Sequence, residues 1–199
     1  MKVYIVRHGD NESGEYFNTV LNHQDPPLSN DGIRKAKKLV DYFEEKFIKK
    51  IIVSEYIRTQ ETAKFLANKK KLPVLKDKRL NEIDNGIIET MCDDEIKKNY
   101  PEFFKDFFSY SKDVRFPNGE NSEEVRIRQK SLLDELIERN EDVVLISHEG
   151  YIRLLICHLI NLPLYKRNLF HVDLCGISEF EYKQNNNSWK VIRINEVLV

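Results

Sequence analysis

Two short apolar runs near opposite ends of the chain constrain its fold more than any other feature. Val3-Tyr4-Ile5-Val6 breaks into Arg7-His8-Gly9-Asp10, and Val143-Val144-Leu145-Ile146 breaks into Ser147-His148-Glu149-Gly150. Four β-prone apolar residues in a row predict a strand buried on both faces. Each run leaves its sheet with a histidine and then a glycine, at once or one residue later, and glycine lets a backbone turn where a Cβ would clash. An amphipathic segment, Tyr151 to Ile160, follows the second run. Between them, Ile51-Ile52-Val53 ends at Ser54 and a helix begins around Arg58. A short strand at Leu72-Pro73-Val74-Leu75 precedes the loop Arg79-Leu80-Asn81-Glu82-Ile83-Asp84-Asn85-Gly86. Ligands of open α/β sheets gather at the carboxyl ends of strands. Two histidines (His8, His148), two arginines (Arg7, Arg58) and one glutamate (Glu82) are thereby placed just beyond strands. An imidazole held beside a guanidinium there is well placed to attack phosphorus.

The rest of the chain keeps the alternation. Ile33, Ala36, Val40, Phe43 and Phe47 are spaced by three and four, which predicts an amphipathic helix over residues 29–48 with Ser29 as its cap. Asn121 and Glu124 form a capping-box pattern that opens a helix to about Arg139. Gly176–Tyr182 and Trp189–Val197, around Gln184-Asn185-Asn186-Asn187, read as an antiparallel pair. The expected fold is α/β, three-layered, with a largely parallel central sheet, an antiparallel edge strand and helices on both faces. One domain over residues 1–199 accommodates it.

Lysine and arginine number 32 against 33 aspartates and glutamates, a formal net charge of -1. That balance gives no general attraction to nucleic acid or an anionic membrane, and no apolar stretch approaches the ~20 residues of a membrane span. Cys92, Cys157 and Cys175 lack metal-site spacing and read as reduced thiols, so a cytoplasmic protein is expected. No His-x-His, His-Glu-x-x-His or Cys-x-x-Cys pattern marks a metal centre, and no metal or cofactor is expected.

The chain resembles the histidine phosphatase superfamily, also called phosphoglycerate mutase-like, and its small phosphatase branch in particular. Arg7-His8-Gly9 is similar to the signature after the family's first strand. Pro27-Leu28-Ser29-Asn30-Asp31-Gly32, the set Ser54, Arg58, Thr62 and Ala63, and the set Leu80, Glu82, Gly86 and Glu89 match further motifs. So do Pro117-Asn118-Gly119-Glu120 and Ser147-His148-Glu149-Gly150-Tyr151-Ile152-Arg153, all in family order. The resemblance implies a metal-independent phosphomonoesterase acting on small organic phosphates. His8 would attack in line and form a phosphohistidine that water cleaves. Arg7, Arg58 and His148 would hold the phosphate oxygens, aided by backbone N–H groups at the start of the helix after His148. Glu82 would be general acid and then base, a role needing a raised pKa, with Asp84 a competitor two residues on. Asn11 and Glu149 are further candidates for contacting substrate.

Asp10, Asn11, Gly14 and Glu149 depart from the family's usual residues and bear on substrate choice. A lid-like insertion is expected at about 88–120. It contains Tyr100, Phe103, Phe104, Phe107, Phe108, Tyr110 and Phe116, which would favour an organic phosphate with an apolar body. Acidic groups at the rim would disfavour polyanions. A phosphoglycerate mutase, or an inactive relative that binds a phosphorylated ligand, are the alternatives, with a monomer or homodimer as the working unit.

Overall fold

The structure, a computed structural model, describes residues 1–21 and 23–198. Strands β1 (Lys2–Arg7), β4 (Lys50–Val53), β5 (Val74–Lys76), β6 (Val143–Ser147), β7 (Ile177–Lys183) and β8 (Ser188–Glu196) form one sheet in the order β5-β4-β6-β1-β7-β8. A separate hairpin pairs β2 (Phe17–Asn18) with β3 (His23–Gln24). The first four strands of the sheet order run parallel, β7 runs antiparallel to β1, and β8 pairs antiparallel with β7. β7 and β8 are the antiparallel pair expected from the sequence, and together they form the antiparallel flank of the sheet.

Side chains alternate along each strand, so the sheet feeds two cores. Tyr4, Val6, Ile51, Val53, Val144 and Ile146 pack under α1 (Asn30–Tyr42) and α2 (Ile57–Lys70). Val3, Ile5, Val143 and Leu145 pack on the opposite face with α5 (Ser122–Arg139) and α6 (Glu149–Leu159). Asn121 caps α5 through the Glu124 N–H at 2.9 Å, and Glu124 returns a bond to the Asn121 N–H at 3.0 Å. The two remaining helices, α3 (Asp93–Asn99) and α4 (Pro101–Ser109), fill the segment expected to insert, and neither has a fully buried residue. Among the described residues no helix is long and apolar enough to cross a membrane.

One helix is shorter than its pattern. α1 stops at Tyr42, Leu39 rather than Val40 is buried, and Phe47 is 74 % exposed. Phe43 caps the end, donating to the Leu39 carbonyl, and β4 begins at Lys50. A helix reaching residue 48 would leave no chain with which to turn back into the sheet.

Candidate active site

Register brings the site together. Arg7 pairs with Ser147 and Val53 with Ile146, so β1, β6 and β4 end at nearly one level. His8, His148 and Ser54 each follow one of those ends, and the two imidazole centres lie 5.2 Å apart. His8 is 7 % exposed. Its Nδ1 lies 2.7 Å from the Gly9 carbonyl, which can only accept, so Nδ1 carries the proton and Nε2 keeps the lone pair. Burial, with the charge of Arg58 and, more weakly, Arg7, pushes its pKa down to about 3 against the pull of the Gly9 bond. His8 is a neutral imidazole at physiological pH.

His148 is fully buried, and the same causes hold it well below its ordinary range: burial first, then Arg58, His8, Arg128 and Arg7. Arg58 donates from Nη2 to His148 Nδ1 at 3.2 Å, which leaves Nε2–H to donate to Ser54 Oγ at 2.8 Å. Ser54 is fixed in turn by the Tyr56 N–H at 3.3 Å and the Thr59 hydroxyl at 2.9 Å. Arg58 lies on the first turn of α2, 3.6 Å from Asp25 and 4.4 Å from the Tyr56 ring centre. Thr62, one turn on, accepts the Gly9 N–H at 2.9 Å. The spacing of Ser54, Arg58 and Thr62 thus ties α2 to both histidine turns.

Gly9 and Gly32 let the first turn and the start of α1 touch. A Cβ on Gly32 would lie 2.0 Å from the Asp10 carbonyl oxygen. Asp10 spends its carboxylate on the Ser29 hydroxyl at 2.6 Å. Arg7 donates to the Val172 carbonyl at 2.6 Å and pairs with Glu149 at 3.0 Å, while its buried Nε has no acceptor among the described residues. Glu149 also pairs with Arg153. Its charge is neutralised between two arginines, which removes its part in the expected acidic rim. Asn11 bridges Leu28, and its amide reaches the Glu12 carbonyl at 3.5 Å rather than the basic cluster.

Glu82 docks on the N-terminus of α6. Its carboxylate accepts the N–H groups of Ile83 at 2.9 Å, Gly150 at 3.0 Å and Tyr151 at 2.8 Å. Two backbone donors expected to face phosphate are therefore occupied by this carboxylate. A Cβ at position 150 would lie 2.8 Å from Glu82 Oε1, which is why glycine stands there. The loop that carries Glu82 is held by Arg128, whose Nη1 donates to the carbonyls of Arg79 at 2.9 Å and Asn81 at 2.7 Å. Its Nη2 donates to the Glu82 carbonyl at 3.1 Å and to Glu120 at 3.0 Å. Glu120 accepts the Asp84 N–H at 3.0 Å. Asp84 turns its carboxylate to the Gly86 N–H at 2.6 Å and lies 3.7 Å from His23 Nε2.

Residues 3–196 match the model of the histidine phosphatase superfamily, branch 1. The chain belongs to the histidine phosphatase superfamily. It is 32% identical over 192 residues, 94% of this chain and 89% of the relative, to phosphoserine phosphatase 1 of Hydrogenobacter thermophilus. A Yersinia pestis protein named "Probable phosphoglycerate mutase" is 28% identical over 187 residues, covering 93% of this chain and 86% of that one. The fold is similar to that of the alpha-ribazole phosphatase from Shigella flexneri, with a TM-score of 0.81 and 24% identity over 100% of this chain and 99% of that one. It is likewise similar to the mycobacterial glucosyl-3-phosphoglycerate phosphatase, with a TM-score of 0.82 and 21% identity over 98% of each chain.

Within this histidine phosphatase, a cavity of about 310 Å3 opens at Glu82 and the first turn of α6. Its lining combines the carboxylates of Glu82, Glu89, Asp93 and Glu149 and the guanidinium groups of Arg153 and Arg167 with an aromatic wall of Phe103, Phe107 and Phe116. The three phenyl rings pack together at 5.4–5.5 Å, Phe103 stacked on Phe107 and Phe116 tilted against both. Glu82 also borders a second cavity of about 370 Å3 that reaches Tyr56 and Arg128. Three residues of this neighbourhood escape sequence reasoning: His23, which binds Glu89; Arg128; and Arg167. Arg128 sits on a helix face and Arg167 in a turn, and nothing in their local pattern marks them.

Proposed function

We propose that this histidine phosphatase is a phosphomonoesterase in which His8 is the nucleophile. The neutral His8 ring carries the reading, with Nδ1–H bound to Gly9 and Nε2 free beside Arg7, Arg58 and His148. The Nε2 lone pair forms the N–P bond as the ester P–O bond breaks. Arg58 leaves His148 Nδ1 for a phosphate oxygen, and the unpaired Nε–H of Arg7 gains the acceptor it lacks, relieving a buried donor. Glu82 enters this step protonated, with one oxygen released from the α6 N–H groups, and gives that proton to the departing alkoxide. It then takes one from the water that attacks phosphorus, and inorganic phosphate leaves with His8 restored. The positive charge that this needs comes from guanidinium groups, so turnover is expected to persist in a chelator. The helices α3 and α4 with Phe103, Phe107 and Phe116 form the wall against which the leaving group lies. His8→Ala is the test: turnover of p-nitrophenyl phosphate is expected to fall by about 10⁴-fold or more. Activity close to that of the unaltered enzyme overturns the assignment.

A further inference from the structure

The backbone and side chain of Arg7 are held by a loop that β8 fastens in place. Arg7 meets residues 172–176 three times. Its N–H donates to the Gly176 carbonyl at 3.2 Å, its carbonyl accepts the Cys175 N–H at 3.1 Å, and its Nη1 donates to the Val172 carbonyl at 2.6 Å. The Cys175 N–H also reaches the His8 carbonyl at 3.3 Å. Residues 173–176 close a turn in which the Gly176 N–H donates to the Asp173 carbonyl at 2.8 Å. Asn195 clamps that turn from β8. Its Oδ1 accepts the Asp173 N–H at 2.7 Å, and its Nδ2 donates to Asp173 Oδ2 at 2.7 Å. A Cβ at position 176 would lie 2.2 Å from Asn195 Oδ1, so the amide occupies the space that glycine leaves open.

β8 is irregular at this point. Ile177 pairs with Glu196 and Glu179 with Arg193, so β8 uses one residue more than β7 over the same step. Asn195 lies within that irregularity at φ +55°, a backbone conformation that asparagine adopts more readily than most side chains. Its own N–H donates to Ser178 Oγ at 3.1 Å. Bulges of this kind re-aim a side chain, and here the amide is turned onto the loop beneath the catalytic arginine.

We propose that Asn195 is a positioning residue for the phosphate contact of Arg7, acting through Asp173 and the Val172 carbonyl. The proposal rests on the phosphatase reading. The Val172 carbonyl takes one arm of the guanidinium and so fixes where its remaining N–H groups point. A group displaced by about 1 Å can lose about 10²-fold in rate, even when the substitution is remote from the reacting atoms.

The experiment measures p-nitrophenyl phosphate and alkyl phosphate turnover together with competitive inhibition by inorganic phosphate. Asn195→Gly removes both side-chain bonds and keeps a residue at ease with positive φ. It is expected to raise Ki for inorganic phosphate about tenfold and to lower kcat/KM by about 10- to 100-fold, equally for both esters, since every ester shares the phosphate. A residue that merely supported the fold would reduce the active fraction, and with it kcat, while leaving KM and Ki unchanged. Asn195→Asp keeps the acceptor for the Asp173 N–H but sets two carboxylates against each other, and a similar loss is expected. Adding Asp173→Asn reverses the donor of the side-chain bond and should return Ki and kcat/KM to within about threefold of the parent. The exchanged pair keeps the test decisive where the glycine variant fails to fold. An unchanged Ki in a folded Asn195→Gly, or an exchanged pair no better than Asn195→Asp alone, overturns the positioning role. Absence of p-nitrophenyl phosphate turnover in the unaltered enzyme overturns the phosphatase reading instead, and the positioning role with it.

Discussion

The basic cluster and the aromatic wall above it are built in opposite ways. His8, Ser54 and His148 stand at the ends of three adjacent strands, and the residues around them are tied to backbone through Gly9, Thr62 and Ser147. The wall is made by α3 and α4, which have no fully buried residue and rest on the core through partly buried Ile96, Tyr100, Phe103 and Phe107. Rigid placement of the reacting groups needs the first construction. The second lets side chains change at little cost to the fold, and the proposed function accordingly assigns substrate choice to the wall and chemistry to the cluster.

The sharpest way to break that division is through Glu82, which borders both regions. Glu82→Gln should slow alkyl phosphates by roughly 10²–10⁴-fold and p-nitrophenyl phosphate by less than about tenfold, since an aryl oxide leaves without a proton. Steady-state rates on both ester classes check this. Equal losses would give Glu82 a purely structural place at the head of α6 and turn attention to Asp84.

Gly86 tests how firmly the lower region is held. Its φ is +58°, and a Cβ there would lie 2.0 Å from the Pro117 carbonyl oxygen. Gly86→Ala should cost about 2–4 kcal/mol of stability, read as a lower denaturant midpoint. A variant as stable as the parent would show that the acid loop is not locked to the Pro117–Gly119 turn.

Acid should act on the lower region first. The pKa of His8 is depressed to about 3 in the folded chain against 6.5 for the free side chain, so between those values the unfolded state binds more protons. This group therefore makes stability decline as pH falls from about 6.5 towards 3 and has no effect above that window. Its ring signals in an NMR titration should stay constant from pH 8 to 5. A midpoint near 6.5 would mean that the site is open to water.

The smallest effect belongs to the wall. Phe108 is 43 % exposed, lines the cavity and packs on Phe104 and Phe107. Phe108→Ala should move the denaturant midpoint by no more than about 1 kcal/mol equivalent and change KM for substrates of different bulk by only a few fold. A loss comparable with that of Gly86→Ala would erase the distinction between the two regions.

Legibility in the sequence follows the same line. Arg7-His8-Gly9 and Ser147-His148 are readable because each is a local strand-to-turn signal, and the sheet register then joins them. Where one side chain serves a distant backbone, the signal disappears. Arg128 supports the Glu82 loop from the middle of α5, and Arg167 reaches the cavity from a turn after α6. Apolar spacing carried α1 six residues past its end because periodicity does not register the turn needed to enter β4. Glu149 shows the limit of counting charges: its sign was visible, but not that Arg7 and Arg153 share it.

The central claim, that the His8 Nε2 lone pair accepts the phosphoryl group, is tested most directly by trapping the phosphoenzyme. Enzyme mixed with a ³²P-labelled ester should be denatured in alkali within one turnover and the labelled peptide sequenced. Acid-labile, alkali-stable label on His8, absent from His8→Ala, is the expected result. Label on another residue, or turnover without any labelled enzyme in a burst-phase experiment, contradicts it.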